Sequence, residues 1–419
     1  MGFADIYFSR FNVSKQIADE HKACDAEIVV VIPVCNEPNF LNTIECFKKQ
    51  EGNFTKTRIL SVFNHSEIAS DAVKQQNIET LEEYKAFISK NPIENIDFSH
   101  LFLEDIPQKN AGVGYARKQG MDEALRIFNQ QNNPDGIIVS LDADCIVENN
   151  YLSEINKFFV ENAEYQAVTI YFEHATEGNE YSQETYEAAL AYESHLRCFR
   201  FGLEFAGYPH AIHTVGSCFA VLAKAYAAAG GMNTKQGGED FYFLHKLTAF
   251  TNISCINSTC VYPDSRVSDR VPFGTGPAIQ KAIDGTEIET YNPKLYLILK
   301  KFFAKFPVWY QTELEQIKTD INIISPILSD FCERNNFIDQ LAECKANTSN
   351  QEAFVKRVFG VFNAFRIIKF LNEAPEAFYH KVSPCCAAKT LLELSNLPVE
   401  ELCKAKKCLS KLRQYDKNR

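Results

Sequence analysis

The strongest constraint on the fold of this chain is an unbroken apolar run from Ile28 to Val34. Most of its residues are β-branched, and apolar side chains occupy successive positions rather than alternate ones. A strand with this pattern is covered on both faces, which is the usual state of a strand in a parallel sheet. A polar turn over 35–38 follows, and then helical spacing from Phe40 to Gln50. Strand, turn and helix in this order predict the beginning of a βαβ unit.

The same alternation continues along the first part of the chain. Strands are predicted over 58–63, 99–103 and 136–141, with helical patterns over 67–95 and from Lys109 onward. A polar cluster follows each predicted strand, and open α/β sheets bind ligands outside the carboxyl ends of their strands. The residues that we expect at this edge are Asn36, Glu37, Asn64, Asn110, Asp142 and Asp144.

The most informative of these clusters is Asp142-Ala143-Asp144, which ends an apolar strand. Unpaired carboxylates are costly to bury, so the pair is expected at the exposed end of the strand. Two carboxylates there offer hard oxygen ligands for Mg²⁺ or Mn²⁺, particularly when a phosphate supplies further ligands. An aspartate pair that only caps a turn is the alternative that these residues leave open.

A second acidic pair, Glu239-Asp240, follows Gly237-Gly238 and opens a predicted helix that extends to Phe250. Acidic residues at a helix start are favoured by the helix dipole, which is sufficient reason for a structural role. The two glycines, however, allow another molecule to approach the backbone closely. Structural and catalytic interpretations of this pair therefore both remain open.

A loop rich in Gly, Pro and Arg follows a strand predicted over 253–261. Its arginines, Arg266 and Arg270, are suited to form forked hydrogen bonds with the phosphates of an anionic ligand. The alternative is that they pair with Asp264 and Asp269 at the surface.

Composition and charge exclude several classes of protein. The chain has 419 residues, 46% hydrophobic and 23% charged, which is ordinary for a globular protein with room for two domains. Its net charge of −11 argues against non-specific nucleic-acid binding, so we expect no nucleic-acid partner. No apolar run approaches the roughly 18–20 residues of a membrane span, and the first 25 residues lack the apolar core of a signal peptide. We therefore expect a cytoplasmic protein, and nothing in the sequence indicates its oligomeric state.

The pattern changes in the last third of the chain. Strands are still predicted over 167–172 and 213–221, but from about residue 290 helical patterns dominate. The segment 300–310 within this region is basic and aromatic. It is typical of core residues flanked by lysines that reach the surface, or of a peripheral contact with the inner face of a membrane.

Four motifs occur in a fixed order along the chain. They are Val-Ile-Pro33-Val34-Cys-Asn36-Glu37, then Asn110-x-Gly112-x-x-x-Ala116-Arg117, then Asp142-Ala143-Asp144, and finally Gly238-Glu239-Asp240. Together they resemble a family 2 glycosyltransferase, over about residues 26–275. The resemblance implies the nucleotide-sugar-binding GT-A fold, an α/β architecture with a doubly wound mixed sheet and helices on both faces. We expect an N-terminal helical preface over 1–25, a catalytic domain over 26–280 and an all-helical C-terminal region over 290–419.

The resemblance also implies roles for individual residues. Asp142 would contact the ribose or a metal-bound water, Asp144 would coordinate the metal between the phosphates, and Asp264 is a candidate for a further metal ligand. Asp240 would be the base that deprotonates the acceptor hydroxyl, and Glu239 would position the acceptor. Residues expected to line the nucleotide-sugar site are Pro33, Val34, Asn36, Glu37, Asn64, Asn110, Gly112, Arg117, Asp142, Ala143 and Gly238.

The implied reaction is an inverting transfer of a single sugar from a UDP-, GDP- or dTDP-sugar to a hydroxyl of a glycan, lipid or small molecule, with Mn²⁺ or Mg²⁺. A divalent ion stabilises the charge that develops on the departing nucleoside diphosphate, and a carboxylate opposite it takes the hydroxyl proton. The Gln-x-x-Arg-Trp signature of processive relatives is absent, since the only tryptophan is Trp309. Transfer of one sugar, rather than polymer synthesis, is therefore expected.

Three other functions compete with this one. A non-catalytic binding or assembly module on the same fold would have no need for closely spaced carboxylates. A sugar-1-phosphate nucleotidyltransferase is suggested by the glycines of 273–276, but such enzymes carry a Gly-rich loop directly after the first strand, where this chain has residues 35–38. A dehydrogenase is disfavoured because Gly112-x-Gly114 lacks the third glycine of the dinucleotide-binding motif.

Overall fold

The computed structural model describes residues 2–11, 25–267, 274–399 and 404–419. The chain divides into two compact units. The first, here the sheet unit, comprises Met1–Ala189, Thr214–Asp284 and Tyr415–Arg419. The second, here the helical unit, comprises Leu190–His213 and Gly285–Gln414.

The sheet unit is built on a single mixed sheet whose strands lie in the order β3-β2-β1-β4-β7-β6-β8-β5. Strands β3, β2, β1 and β4 are parallel to their neighbours, whereas β7 is antiparallel to both β4 and β6. Strand β8 is parallel to β6 and antiparallel to β5. The strands are β1 Ile28–Val34, β2 Thr57–Ser66, β3 Ile96–Ile106, β4 Ile137–Ser140, β5 Ile146–Val147, β6 Ala167–Phe172, β7 Phe219–Leu222 and β8 Ile253–Tyr262.

Helices cover both faces of this sheet. Adjacent residues of a strand point to opposite faces, and in β2 Phe63 packs against Tyr84, with ring centroids 5.9 Å apart. On the other face, a Cβ added at Gly120 would lie 2.8 Å from Cγ2 of Val62. The helices that begin in this unit are α1 Asp5–Phe11, α2 Phe40–Glu45, α3 Asp71–Lys90, α4 Val113–Gln130, α5 Tyr151–Glu161, α6 Gln183–Phe205, α7 Ala223–Ala228, α8 Glu239–Leu247 and α9 Thr275–Ile283.

The described part of the chain after residue 285 is helical apart from short connections and one isolated bridge between Thr290 and Val382. With the mixed sheet, this confirms the predicted α/β fold class with an all-helical C-terminal region. Its helices are α10 Pro293–Phe303, α11 Phe306–Trp309, α12 Leu314–Ile324, α13 Pro326–Arg334, α14 Phe337–Ala346, α15 Gln351–Val361, α16 Ala364–Glu373, α17 Glu376–Tyr379, α18 Pro384–Leu394 and α19 Ala405–Lys417.

The basic, aromatic segment 300–310 contributes to the core of the helical unit. Phe302, Phe306 and Trp309 are all buried, and the Phe302 ring lies 4.8 Å from that of Phe362. This is what the core interpretation of the segment predicts. In the described parts of the chain, no helix is both long and apolar enough to cross a membrane.

A buried carboxylate ties two helices of the helical unit together. Glu193, on α6, is fully buried and accepts a hydrogen bond of 2.7 Å from Nε of Arg197. Arg413, on α19, donates two further hydrogen bonds of 2.7 Å, one to each carboxylate oxygen. The Glu193 carboxylate therefore interacts with the positive charges of two guanidinium groups. The guanidinium of Arg197 is also fully buried.

Two sequence expectations differ from the structure in ways that matter for the site. The strand predicted over 213–221 is confined to Phe219–Leu222, because the carbonyl of Gly216 accepts hydrogen bonds from Ser140 and Arg117 instead of joining the sheet. Strand β2 extends three residues beyond its predicted end at Phe63, so that Asn64 lies within the sheet.

The strand order determines where a ligand site forms. Strands β2 and β3 lie on one side of β1, whereas β4 lies on the other, with Val31 of β1 opposite Ser140 of β4. The order thus reverses between β1 and β4, and ligands of open α/β sheets bind at such a switch point. Because these two strands are parallel, the polar residues that follow them meet at one edge.

Candidate active site

The turn after β4 holds Asp142 and Asp144 at this edge. Ala143 is buried, and its carbonyl accepts a hydrogen bond of 2.8 Å from Thr43 Oγ1. The backbone N–H of Cys145 donates to the carbonyl of Asp142 at 3.2 Å, which closes the turn. The two aspartates stay partly exposed, with 36% and 24% of their side-chain surfaces accessible. The middle residue therefore anchors the motif and its two carboxylates face outward.

Arg117, on α4, lies at the centre of the site and is almost fully buried. Its Nη2 donates to Oδ1 of Asp142 at 2.9 Å, and its Nε donates to Oε1 of Glu239 at 3.2 Å. Its Nη1 donates to Asp142, to Ser140 Oγ at 2.9 Å and to the carbonyl of Gly216 at 3.1 Å. One guanidinium therefore links the carboxylates of two motifs that are far apart in sequence.

The Glu239-Asp240 pair opens α8, after Gly238 in the left-handed region at φ +69°. Asp240 is partly buried, and its Oδ1 accepts a hydrogen bond of 2.6 Å from the N–H of Phe241. Burial and, next, the Glu239 carboxylate raise the pKa of Asp240 to about 7, although Arg117 and the Phe241 N–H act in the opposite direction. Asp240 is therefore poised to exchange a proton near neutral pH.

Gly216 allows these groups to approach the backbone. A Cβ added there would lie 2.9 Å from Nη2 of Arg117 and 3.3 Å from Oδ2 of Asp240. Since five hydrogen bonds hold the guanidinium, it has little freedom to move aside.

The glycines of the second motif serve a different contact. Gly112 has φ +156°, and a Cβ added to it would lie 3.0 Å from Cα of Gln236. At Gly114 the added Cβ would meet the carbonyl oxygen of Lys235 at 2.1 Å and Cβ of Glu239 at 3.1 Å. The absence of side chains lets the start of α4 pack directly against the segment that leads into α8.

Two of the asparagines predicted at the nucleotide site, Asn36 and Asn64, are held by Asn77 and by the backbone. Asn36 adopts φ +51°, and its N–H donates to Oδ1 of Asn77 at 2.7 Å. Asn64 is buried and donates from Nδ2 to the carbonyl of Val34 at 2.9 Å, while its own carbonyl accepts from Nδ2 of Asn77 at 2.8 Å. Asn77 therefore joins the ends of β1 and β2.

A second arginine, Arg266, lies among three carboxylates after β8. Its Nη1 donates to Oε1 of Glu37 at 2.6 Å, and its Nη2 donates to both Oε2 of Glu37 and Oδ2 of Asp144, the latter at 3.2 Å. Its Nε lies 3.8 Å from Oδ2 of Asp264, whose other oxygen accepts from the hydroxyl of Tyr181 at 2.5 Å. Arg270, the other arginine predicted to bind phosphate, lies outside the described residues, as does Phe273.

The described residues contain no group of three or more His, Cys, Asp or Glu side chains placed to hold a metal ion by themselves. Asp142 and Asp144 nevertheless present partly exposed carboxylate oxygens, the hard donors that Mg²⁺ and Mn²⁺ prefer. This donor set fits an ion that takes its remaining ligands from a diphosphate and water.

Residues 29–229 match the family model of glycosyl transferase family 2. The chain carries a family 2 glycosyl transferase domain. This confirms the family resemblance and makes the protein a glycosyltransferase. The matched segment includes Arg117 and the Asp142–Asp144 turn, whereas Glu239, Asp240 and Arg266 follow it.

Several solved structures resemble this glycosyltransferase at low identity. S. aureus TarS 1–349 in complex with UDP-GlcNAc is 14% identical, with a TM-score of 0.41, over 81% of this chain and 91% of that chain. The mannosyltransferase PcManGT from Pyrobaculum calidifontis, in complex with GDP-Man and Mn²⁺, is 13% identical, with a TM-score of 0.37, over 92% and 93%. Glucosyl-3-phosphoglycerate synthase from Mycobacterium tuberculosis is 12% identical, with a TM-score of 0.32, over 66% and 80%. No curated protein sequence matches this chain.

The fold of the sheet unit brings most of the predicted site residues together. Asp142, Glu239 and Asp240 surround Arg117, while Glu37, Asp144 and Asp264 surround Arg266. The remaining predicted residues lie in strands or turns: Pro33 and Val34 are buried in β1, Asn64 is buried in β2, Asn110 is in the turn after β3, and Gly112 and Gly238 precede α4 and α8.

Sequence reasoning missed Ser140, Gly216, Asn77 and Tyr181. Gly216 and Ser140 each touch Arg117, and Tyr181 holds Asp264. Gly216 was detectable in principle, because a glycine within a predicted strand marks a close approach of the backbone. No local pattern distinguishes Asn77 or Tyr181 from ordinary helix and loop residues.

Proposed function

We propose that this glycosyltransferase moves a single sugar from a nucleoside diphosphate donor to a hydroxyl acceptor, with inversion at the anomeric carbon and a divalent ion at the diphosphate. The observation that carries the proposal is the Arg117 guanidinium, which contacts Asp142 at 2.9 Å and Glu239 at 3.2 Å. This guanidinium joins Asp142, which is proposed to contact the donor, to Glu239, which is proposed to position the acceptor. A reaction between two substrates needs these groups fixed relative to each other.

Asp144 and Asp142 are proposed to hold Mn²⁺ or Mg²⁺ through their partly exposed oxygens. When bound, such an ion neutralises the negative charge that develops on the departing diphosphate. Arg117 occupies Oδ1 of Asp142 with two N–H groups. Asp144 is proposed as the main ligand, and Asp142 would contact the ion or the ribose through its second oxygen.

Asp240 is proposed as the general base. Its carboxylate would accept the proton of the acceptor hydroxyl as that oxygen attacks the anomeric carbon, while the bond to the diphosphate breaks on the opposite face. A base with a pKa of about 7 is half ionised at neutral pH and still basic enough to remove the proton. Glu239, buried and paired with Arg117 at the start of α8, would position the acceptor.

Release of nucleoside diphosphate from UDP-, GDP- and dTDP-sugars tests the proposal. Donors are first ranked by thermal stabilisation in the presence of Mn²⁺, since a bound donor raises the melting temperature according to its occupancy. Asp240→Asn should retain this stabilisation and lose transfer by about 10²–10⁴-fold, the typical contribution of a general base. Asp71→Asn, an exposed acid in the first turn of α3, should behave as wild type.

Unchanged transfer in Asp240→Asn would remove this residue from the role of base. A protein that binds no donor and no nucleoside diphosphate with Mn²⁺ in calorimetry would instead be a non-catalytic module on the same fold. We further propose that residues 26–280 form the catalytic domain and that the enzyme acts in the cytoplasm.

A further inference from the structure

The contacts of Arg266 are unequal, and the difference indicates how it is held. Glu37 is almost completely buried, with 1% of its side chain exposed, and accepts hydrogen bonds from both terminal nitrogens of the guanidinium. Asp144 is more exposed, and the hydrogen bond that it accepts from Arg266 is longer, at 3.2 Å. A buried carboxylate left without its partner is strongly destabilising. Glu37 is therefore the anchor of Arg266, and Asp144 is its exchangeable contact.

The exchangeable contact involves the carboxylate proposed as the main ligand of the divalent ion. A guanidinium and a divalent cation repel each other, and both prefer the same carboxylate oxygens. An ion that binds Oδ2 of Asp144 must therefore displace the Nη2 hydrogen bond or bind beside a positive charge.

We propose that Arg266 is an internal cation that contacts Asp144 and competes with the divalent ion for this carboxylate. The inference rests on the ion site of the proposed function. When the ion binds, Nη2 leaves Asp144 while Arg266 stays attached to Glu37. The affinity of the site for the ion is therefore low until a ligand supplies further oxygen atoms. Arg266 is the group that lowers this affinity.

Titration with Mn²⁺ alone, followed by the electron paramagnetic resonance signal of the free ion, measures this competition without any assay of transfer. Arg266→Gln should bind Mn²⁺ about tenfold more tightly than wild type, because the repulsion and the competing hydrogen bond are both removed. Arg266→Lys keeps the charge but cannot fork between Glu37 and Asp144, so its affinity for Mn²⁺ should lie between those of wild type and Arg266→Gln.

Arg334→Gln is the matched control. This arginine also contacts two carboxylates, those of Asp330 and Glu373 at 3.0 and 2.8 Å, but it lies on the surface of the helical unit. Its substitution should leave Mn²⁺ affinity unchanged. If Arg266→Gln fails to fold because the buried Glu37 loses its ion pair with Arg266, the double variant Glu37→Gln/Arg266→Gln removes both charges and should also bind Mn²⁺ more tightly.

Asp144→Asn separates failure of this inference from failure of the proposed function. If this variant loses Mn²⁺ binding but Arg266→Gln binds the ion no more tightly than wild type, Arg266 does not compete and the inference is overturned while the ion site stands. Unchanged Mn²⁺ binding in Asp144→Asn would overturn the ion site and, with it, the role of Arg266.

Discussion

Asp240→Asn should make the protein more stable above neutral pH while it removes the proposed base. The pKa of Asp240 is raised to about 7, chiefly by burial, whereas the pKa of an aspartate in an unfolded chain is about 3.9. The folded state therefore favours the protonated carboxyl. As pH rises from about 4 to about 7, the unfolded state releases its proton first, so this group destabilises the fold progressively and reaches its full effect above about pH 7.

The magnitude follows from the difference between these pKa values. About three pKa units at about 1.4 kcal/mol each give an upper limit of about 4 kcal/mol. Asp240 is only partly buried, so solvent screening reduces the effect to about 2 kcal/mol. Asparagine has a similar shape and is always neutral, and therefore avoids this destabilisation at every pH.

Urea-induced unfolding of wild type and Asp240→Asn at pH 5 and pH 8.5 measures the effect. The variant should be more stable by about 2 kcal/mol at pH 8.5 and by clearly less at pH 5. Asp71→Asn, whose acid is exposed, should show no such difference between the two pH values. A variant that is less stable than wild type at pH 8.5, or a stability difference that does not vary with pH, would refute the reasoning.

The remaining predictions concern the same site and the helical unit. The pH profile of kcat/KM should rise with pH through an apparent pKa of about 7, because only ionised Asp240 accepts the hydroxyl proton; a flat profile between pH 5.5 and 8.5 would contradict this. Arg117→Lys should lower transfer at least about 100-fold and destabilise the protein by about 3 kcal/mol in urea unfolding, since lysine cannot bridge Asp142 and Glu239 in a forked geometry. Glu193→Ala should reduce the free energy of unfolding by about 3–5 kcal/mol, because Arg197 stays buried without this carboxylate. The control, Glu315→Ala at the surface, should change the free energy of unfolding by less than about 0.5 kcal/mol.

Local patterns in the sequence were sufficient to predict the framework of the sheet unit. The uniform apolarity of 28–34 predicted a strand covered on both faces, and the structure places every residue of β1 in the buried core. The polar residues after the first and fourth strands were correctly placed at one edge, because parallel strands bring their carboxyl ends together. The Asp142–Asp144 turn follows from the same argument.

Local patterns could not predict which charged groups become neighbours. Arg117, which the family resemblance places at the border of the nucleotide pocket, is buried between Asp142 and Glu239, which lie 25 and 122 residues away along the chain. Asn64, which the resemblance places at the nucleotide-sugar site, uses its amide to hold the end of β1. Side-chain type and spacing carry no information about a partner at such a separation.

The sequence by itself determined the fold class and the edge of the sheet at which Glu37, Asp142 and Asp144 lie, since these follow from periodicity and from the chain's order. The other acids, Glu239, Asp240 and Asp264, were expected in the site only through the family resemblance. Only the tertiary structure decided that two arginines divide those acids into two groups. Arg117 holds Asp142 and Glu239, while Arg266 holds Glu37, Asp144 and Asp264. The physical reason is that the strength of an ion pair depends on distance and burial, and both are set by the packing of segments remote in sequence.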